Sequence, residues 1–165
     1  MYERALISPA TRAAIAGHVQ SMANLETGGI LLGRSADATT VEITRASPPG
    51  PRAVHRRFSF ARDTLFLQRY LDELHDRSDG SEDYIGEWHV HPALNAPPSA
   101  VDRRALWRIA KRSNYVPTNP ILLIVEDSPL EQRLRVYAFA VTPQRAWNEL
   151  DVVDRASTDR DDQPR

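Results

Sequence analysis

The sequence predicts a single α/β domain in which a β-sheet is flanked by α-helices. Strand-forming runs alternate loosely with amphipathic helical segments along the chain. The clearest strand is residues 121–125, an uninterrupted apolar run that suits a buried central strand. The clearest helix is residues 63–77, in which Leu67, Leu71 and Leu74 share one face. With 165 residues and 41% hydrophobic content, the chain can bury a core of its own.

A strand and a helix are predicted at the start of the chain. Residues 5–7 form a short apolar strand. Ser8 followed by Pro9 has the order expected of an N-cap and a first helical position. In the helix that follows, Ile15 and Val19 are four residues apart and share one face. That helix therefore has an apolar face available for packing.

A hairpin and a loop are predicted next. Residues 30–32 and 40–44 form its two strands, and the second alternates between apolar and polar residues. Residues 46–57 are rich in proline, glycine and arginine and cannot pair as a central strand. This loop either rims a substrate channel or is an ordinary connector. Residues 58–60 form a short apolar strand or lead into the next helix.

The second half of the chain predicts a helix, a strand pair and a tail. Residues 99–112 form the helix. Residues 134–141 return as the partner strand of the buried apolar run. Residues 143–150 are expected to add a short helical end. From residue 151 the composition becomes polar and charged, which predicts a disordered tail over residues 151–165.

The composition excludes several classes of protein. There is no cysteine, which excludes a thiol nucleophile and a disulfide framework. The net charge of -1 gives no basic field of the kind that nucleic-acid binders use. Neither a signal-like N-terminal segment nor an apolar run of about 18 residues is present. The simplest expectation is a cytoplasmic protein without a nucleic-acid or membrane partner.

The strongest functional pattern lies in residues 87–102. The residues before His89 favour a strand, on which positions i and i+2 face the same side. The imidazoles of His89 and His91 are then about 6.6 Å apart along the strand and can converge on one ion. Ser99 stands at the N-cap of the next helix, which puts Asp102 in its first turn. The two histidines and Asp102 would leave the fourth position of a zinc site open for water.

Each part of this pattern also has a purely structural explanation. Ser-x-x-Asp resembles a capping box, and a lone His-x-His on a strand is more often an ordinary polar face. Glu87 shares the histidine face and is a rival ligand. It lies about 13 Å from His91 along the strand, too far for both to close comfortably on one ion together with His89. The joint occurrence of all the parts at this spacing favours a metal site.

The pattern resembles the signature of the JAMM zinc metalloproteases, also called MPN+ or JAB-domain proteins. The matching positions are Glu26, His89, His91, Ser99 and Asp102. Glu26 precedes a glycine-rich strand that begins at Gly28, as the glutamate of that family does. One departure is Val90, where members of the family usually carry serine or threonine. Its side chain is expected to face away from the metal.

The resemblance implies a mixed, strongly curved β-sheet with helices packed on it, as one metalloprotease domain over residues 1–150. It assigns a zinc ion to His89, His91 and Asp102, which activates a water and polarises the scissile carbonyl. It assigns to Glu26 the part of general base and acid, and to Ser99 a hydrogen bond to the oxyanion. The loop that carries Glu26 would then lie over the histidine strand.

The resemblance also implies a substrate. Members of the family cut after the C-terminal glycine of ubiquitin or a ubiquitin-like protein, often at an isopeptide bond. A small, arginine-rich, stand-alone domain is similar to the bacterial branch, whose members occur with ubiquitin-like, activating-enzyme-like and conjugating-enzyme-like proteins, notably in antiphage systems. A deconjugating or precursor-processing peptidase is therefore expected.

Two alternatives remain open. One is a non-catalytic MPN scaffold, although scaffold members have usually lost metal ligands that this chain keeps. The other is a zinc hydrolase of a small amide. An open groove would favour the peptidase, and a narrow, closed pocket would favour the small-substrate hydrolase.

Overall fold

The structure is a computed structural model that describes residues 1–22, 25–91, 94–112, 119–127, 132–139 and 146–155. These residues form nine strands and three helices. In chain order the elements are β1 (Arg4–Ile7), α1 (Pro9–Ser21), β2 (Gly28–Ser35), β3 (Thr40–Ala46), β4 (Val54–Arg56), β5 (Ser59–Ala61), α2 (Thr64–Arg77), β6 (Asp83–His91), α3 (Ala100–Arg112), β7 (Ile121–Asp127), β8 (Gln132–Phe139) and β9 (Trp147–Asp154).

Seven of the strands form one sheet in the order β1-β3-β2-β6-β7-β8-β9. The sheet closes on itself because β1 also pairs with β9. Pairing is parallel between β1 and β3, β6 and β7, and β1 and β9, and antiparallel elsewhere. The expected α/β fold with a mixed, curved sheet is therefore confirmed. The complete closure was not predicted.

Strand β7 is buried on both faces. Ile121, Leu123 and Val125 pack in the largest apolar cluster together with residues of α1. The intervening Leu122 and Ile124 pack on the opposite face, against α3. The helix α2 covers β2 and β6 through a third cluster. Since successive strand residues point to opposite faces, helices on both sides explain why this strand is apolar without interruption.

The predicted elements are confirmed in the first two thirds of the chain, with one addition. Helix α1 begins next to the expected N-cap residue Ser8, and α2 begins one residue after its predicted start, with Asp63 as its N-cap. The addition is β4, which lies in the segment predicted as a loop and pairs with β5 as a separate two-stranded ribbon. Short ribbons of this kind carry little apolar pattern, since one residue per strand faces inward.

The prediction was wrong at residues 147–154. A helical end was expected up to residue 150 and a disordered tail from residue 151, but both segments contribute to β9. Residues 147–150 pair with β8, and residues 151–154 pair with β1. The backbone groups on the facing edges of β1 and β8 need partners, and one extended strand satisfies both edges. Residues 143–145 and 156–165 lie outside the described residues.

None of the three described helices is long and apolar enough to cross a membrane.

Candidate metal centre

Strand β6 presents His89 and His91 on one face. The intervening Val90 and the preceding Trp88 point to the other face and are buried in the main core. The Nε2 atoms of the two histidines are 2.8 Å apart. Parallel pairing with β7 and antiparallel pairing with β2 hold β6 from both sides. The imidazoles therefore converge as the spacing predicted, and Val90 faces away from them.

Asp102 joins the two histidines from the first turn of α3. Its carboxylate oxygens lie 3.8 Å from His89 Nε2 and 3.7 Å from His91 Nε2. Ser99 N–H donates to Asp102 Oδ2 at 2.7 Å, while Asp102 N–H donates to Ser99 Oγ at 3.2 Å. This reciprocal capping box fixes the position of the carboxylate. Ser99 and Asp102 therefore form the expected capping box, and Asp102 lies at the same time where a metal ligand would lie.

These three side chains fit a metal ion. Their candidate ligand atoms all lie within 4.8 Å of one another, and they form the one such group found among the described residues. Two imidazole nitrogens and one carboxylate oxygen, with a fourth position open, are a donor set that suits zinc in hydrolytic sites.

The protonation of both imidazoles also suits a metal. His91 Nδ1–H donates to the carbonyl oxygen of Ala96 at 3.1 Å, because that oxygen can only accept. The lone pair of His91 Nε2 therefore faces the site. Burial lowers the pKa of His89 to about 4, although the nearby Asp102 carboxylate opposes the shift. At neutral pH His89 is therefore uncharged, which is the form that binds metals.

The loop before β2 brings Glu26 to the same site. Gly28 pairs with His89 across β2 and β6, and Val90 N–H donates to the Thr27 carbonyl at 2.9 Å. A Cβ atom at Gly28 would lie 2.3 Å from the Trp88 carbonyl oxygen, so only glycine allows this close approach. The strand pairing that the sequence could not establish therefore places Glu26 beside the histidines.

The β4–β5 ribbon holds the Glu26 backbone from the other side. Glu26 N–H donates to the Arg56 carbonyl at 2.8 Å, and His55 Nδ1 lies 3.2 Å from the Glu26 carbonyl oxygen. Burial raises the pKa of the Glu26 carboxyl, while His91 lowers it and Asp102 raises it further. A carboxylate with a raised pKa is a stronger base than an exposed one.

A cleft of about 760 Å³ contains all five predicted site residues. Two apolar side chains that line it are exposed: Phe58 beside β5 by 78%, and Val101 at the start of α3 by 75%. The cleft therefore offers apolar contacts at these two residues as well as the polar groups of the five site residues.

Glu87 is not a metal ligand in this arrangement. It is 2% exposed, and its carboxylate accepts a hydrogen bond from the guanidinium of Arg62. Burial raises the pKa of Glu87, and Arg62 opposes that rise. Arg62 also lines the cleft. The rival ligand considered from the sequence is therefore neutralised by an arginine from the segment between β5 and α2.

Sequence reasoning missed three residues of the site. Arg62 and His55 lie far from the histidines along the chain, and neither forms a local motif. Phe58 was assigned only to a short apolar segment. An aromatic residue directly after two arginines, in a loop otherwise poor in apolar residues, was the one signal that could have identified the cleft wall.

Comparison with known proteins supports the same family. The model of the family Prok-JAB, prokaryotic homologs of the JAB domain, matches residues 8–147. The solution structure of protein DSY2949 from Desulfitobacterium hafniense has a similar fold, with a TM-score of 0.64 and 19% identity over 92% of both chains.

Three curated relatives are also similar in sequence. A probable metalloprotease, y4qB, from Sinorhizobium fredii is 34% identical over 64% of this chain and 65% of its own length. Proteins named CD-NTase/cGAS isopeptidase are 35% identical in Enterobacter hormaechei, over 63% of this chain and 57% of the relative, and 33% identical in Vibrio cholerae, over 61% and 60%. The chain thus spans about three fifths of the length of these relatives. Because the family model matches most of its residues, the chain belongs to the prokaryotic homologs of the JAB domain.

Proposed function

We propose that this protein is a zinc-dependent peptidase or isopeptidase. The observation that carries the proposal is the convergence of Glu26 on the same cleft as the His89, His91 and Asp102 group. Zinc bound by those three residues would supply a Lewis acid for a carbonyl group and lower the pKa of water. A carboxylate beside such a group is where a proton carrier for the attacking water has to lie.

Glu26 moves the proton in this mechanism. Its carboxylate takes a proton from the attacking water as the water oxygen bonds to the scissile carbonyl carbon. It then delivers that proton to the amine nitrogen as the C–N bond breaks. Backbone hydrogen bonds from β6 and the β4–β5 ribbon hold its loop in place, so that little reorganisation is needed.

Ser99 stabilises the charge that develops on the carbonyl oxygen. Its Oγ accepts the N–H of Asp102, which leaves the hydroxyl proton available to donate toward the cleft. A single donor of this kind contributes about 3 kcal/mol to transition-state stabilisation.

The substrate is proposed to be the C-terminal tail of a ubiquitin-like protein, cut after its last glycine. The exposed side chains of Phe58 and Val101, which line the cleft, offer apolar contacts to such a tail. Relatives named isopeptidase support a bond to an amine of a target protein. Activating-enzyme-like and conjugating-enzyme-like proteins, an antiphage context and a cytoplasmic location belong to the same proposal.

A cleavage assay tests the proposal. A panel of ubiquitin-like fusions, each ending in a glycine-linked reporter, is incubated with zinc-loaded wild type, Glu26→Gln and His89→Ala. We expect Glu26→Gln to keep its zinc and lose at least 10²-fold in rate, because the proton carrier is gone. His89→Ala is expected to lose both zinc and activity.

Matched controls separate these effects from general damage. Glu73→Gln and His75→Ala change the same residue types on the exposed side of α2 and should behave as wild type. Zinc binding without cleavage of any fusion would contradict the proposed substrate and favour the small-amide hydrolase. A wild type that binds no zinc would favour the scaffold.

A further inference from the structure

A buried carboxylate on β7 is connected to the proposed ligand His91 through one backbone residue. Ala96 accepts a hydrogen bond from His91 Nδ1 through its carbonyl oxygen, at 3.1 Å. The N–H of the same residue donates to Oε1 of Glu126 at 2.9 Å. Both polar backbone groups of Ala96 are thus used, one toward His91 and the other toward Glu126.

The position of Glu126 in the sheet explains this connection. Glu126 is the register partner of His91 in the parallel pair β6 and β7, and it is fully buried. Side chains of directly paired residues project from the same face of a sheet. Ala96 therefore lies over the end of β7, where the side chain of Glu126 reaches its N–H.

Two further strands hold Glu126 in place. Arg135 on β8 donates to Glu126 Oε1 at 3.0 Å. Arg135 also donates two hydrogen bonds to the carboxylate of Glu149 on β9, at 2.7 Å and 2.6 Å. The chain of contacts thus runs from β9 to β8, β7, Ala96 and His91. Because Glu126 and Arg135 lie on regular strands, they can hold Ala96 in place, and Ala96 can then hold the His91 imidazole at a fixed angle.

A buried carboxylate beside an arginine can also be explained by stability alone. The protein offers a direct comparison in Glu42 on β3, which is 5% exposed and paired with Arg34 at 2.8 Å and with Arg155. No hydrogen bond or ion pair connects Glu42 to the three proposed ligands among the described residues. Glu126 differs from Glu42 in the contact with Ala96, and that contact leads to the site.

We propose that Glu126 is a positioning residue for His91, acting through Ala96. It holds the loop so that the Ala96 carbonyl fixes the Nδ1–H tautomer of His91 and leaves Nε2 free for the metal. The proposal rests on the zinc site proposed above. Glu126, which does not line the cleft, would then contribute to the metal affinity of the site.

The test compares Glu126→Ala with Glu42→Ala. Zinc affinity is measured by competition with a chromophoric chelator, and the His91 tautomer by imidazole ¹⁵N chemical shifts in zinc-free protein. In Glu126→Ala we expect the zinc dissociation constant to rise about 10- to 100-fold and the two tautomers to mix. Glu42→Ala should keep both the affinity and the tautomer of wild type. Glu126→Gln retains an accepting oxygen for Ala96 and should give a smaller rise, which provides a second variant if Glu126→Ala does not fold.

Two outcomes would overturn the proposal. One is a folded Glu126→Ala protein with wild-type zinc affinity and a single His91 tautomer. The other is an equal loss of affinity in Glu42→Ala, which would assign the effect to stability. If the wild type binds no zinc at all, the proposed function fails, and the tautomer measurement still decides whether Glu126 positions His91.

Discussion

At the scale of single residues, the chemistry of neighbouring side chains decides which groups can bind a metal. Glu87, His89 and His91 alternate along the same strand and share one face. Of these three only the histidines belong to the metal-binding group, and the carboxylate of Glu87 pairs with Arg62 instead. From the sequence, Glu87 was a poor ligand candidate because of its distance from His91 along the strand. The ion pair with Arg62 is a second reason, and no local sequence pattern predicts it.

Substituting Arg62 measures how much its ion pair with Glu87 contributes to the free energy of unfolding. In Arg62→Ala, the buried Glu87 carboxylate loses its counter-charge, and we expect a loss of about 2 kcal/mol in the free energy of unfolding. The value is below that of a fully buried pair because Arg62 is about one third exposed. Urea unfolding measures it. Adding Glu87→Gln should recover most of the loss, and a double variant as unstable as the single one would contradict this account.

Ser99 combines a structural and a catalytic part that substitutions can separate. Ser99→Ala removes the cap acceptor, which costs about 1 kcal/mol of stability, and the proposed oxyanion donor, which costs about 10²-fold in kcat. Ser99→Thr keeps the hydroxyl and should retain most of both. Thermal unfolding and reporter cleavage are measured on the same samples. Equal kcat values for Ser99→Ala and wild type would remove Ser99 from the mechanism.

At the scale of elements, segments with weak patterns of their own hold the site together. The β4–β5 ribbon has three residues per strand, yet its Arg56 carbonyl binds the N–H of Glu26. The turn before α2 is fixed by Asp63, which accepts the N–H groups of Phe66 at 3.2 Å and Arg52 at 3.0 Å. This carboxylate therefore ties the ribbon segment to α2.

The Asp63 contacts predict a specific acid sensitivity. Burial raises the pKa of Asp63, but the hydrogen bonds from Phe66 and Arg52 and the charge of Arg52 outweigh it and leave the pKa below its ordinary value. The stabilisation is then complete above the unfolded pKa of about 3.9 and is lost as the pH falls through the lower folded pKa. Asparagine also caps helices but carries no charge.

We therefore expect Asp63→Asn to be less stable than wild type at pH 7 and to approach it in acid. Urea unfolding of both proteins across this pH range gives the difference directly, so that other titrating groups cancel. A difference that stays constant down to the lowest pH would show that the charge of Asp63 contributes nothing.

At the scale of the whole molecule, the sequence predicted what local patterns encode. The core strand at residues 121–125, the capped starts of α1 and α3 and the shared strand face of the two histidines follow from spacing within short segments. The parts given to Glu26 and Ser99 come from the family resemblance instead. Closure of the sheet does not, because β1 must pair with both β3 and β9, whose residues are far away along the chain. In β9 only Leu150 is buried, so little in the strand's sequence pattern marks it as part of a sheet. The ribbon contact with Glu26 is likewise a long-range pairing.

Truncation tests the importance of closure. A chain ending at Leu150 loses Asp151–Asp154, and with them the parallel pairing of β9 to β1. We expect a lower melting temperature and faster hydrogen exchange in β1, because its edge becomes unpaired. A chain ending at Arg155 keeps the whole of β9 and controls for the loss of residues 156–165. Equal melting temperatures for the two truncated chains would contradict a stabilising role for the closure.

The parallel pairing of β1 with β9 also sets how the molecule resists pulling. Arg4 lies beside Asp151 and Ile7 beside Asp154, so the first and last strands run in the same direction. A force on the chain before β1 and after β9 therefore slides the two strands past each other. The hydrogen bonds between them bear that load together, whereas antiparallel neighbours pulled from one end would separate bond by bond. A protease that unravels the chain from beyond β9 therefore has to separate β9 from both β1 and β8 first.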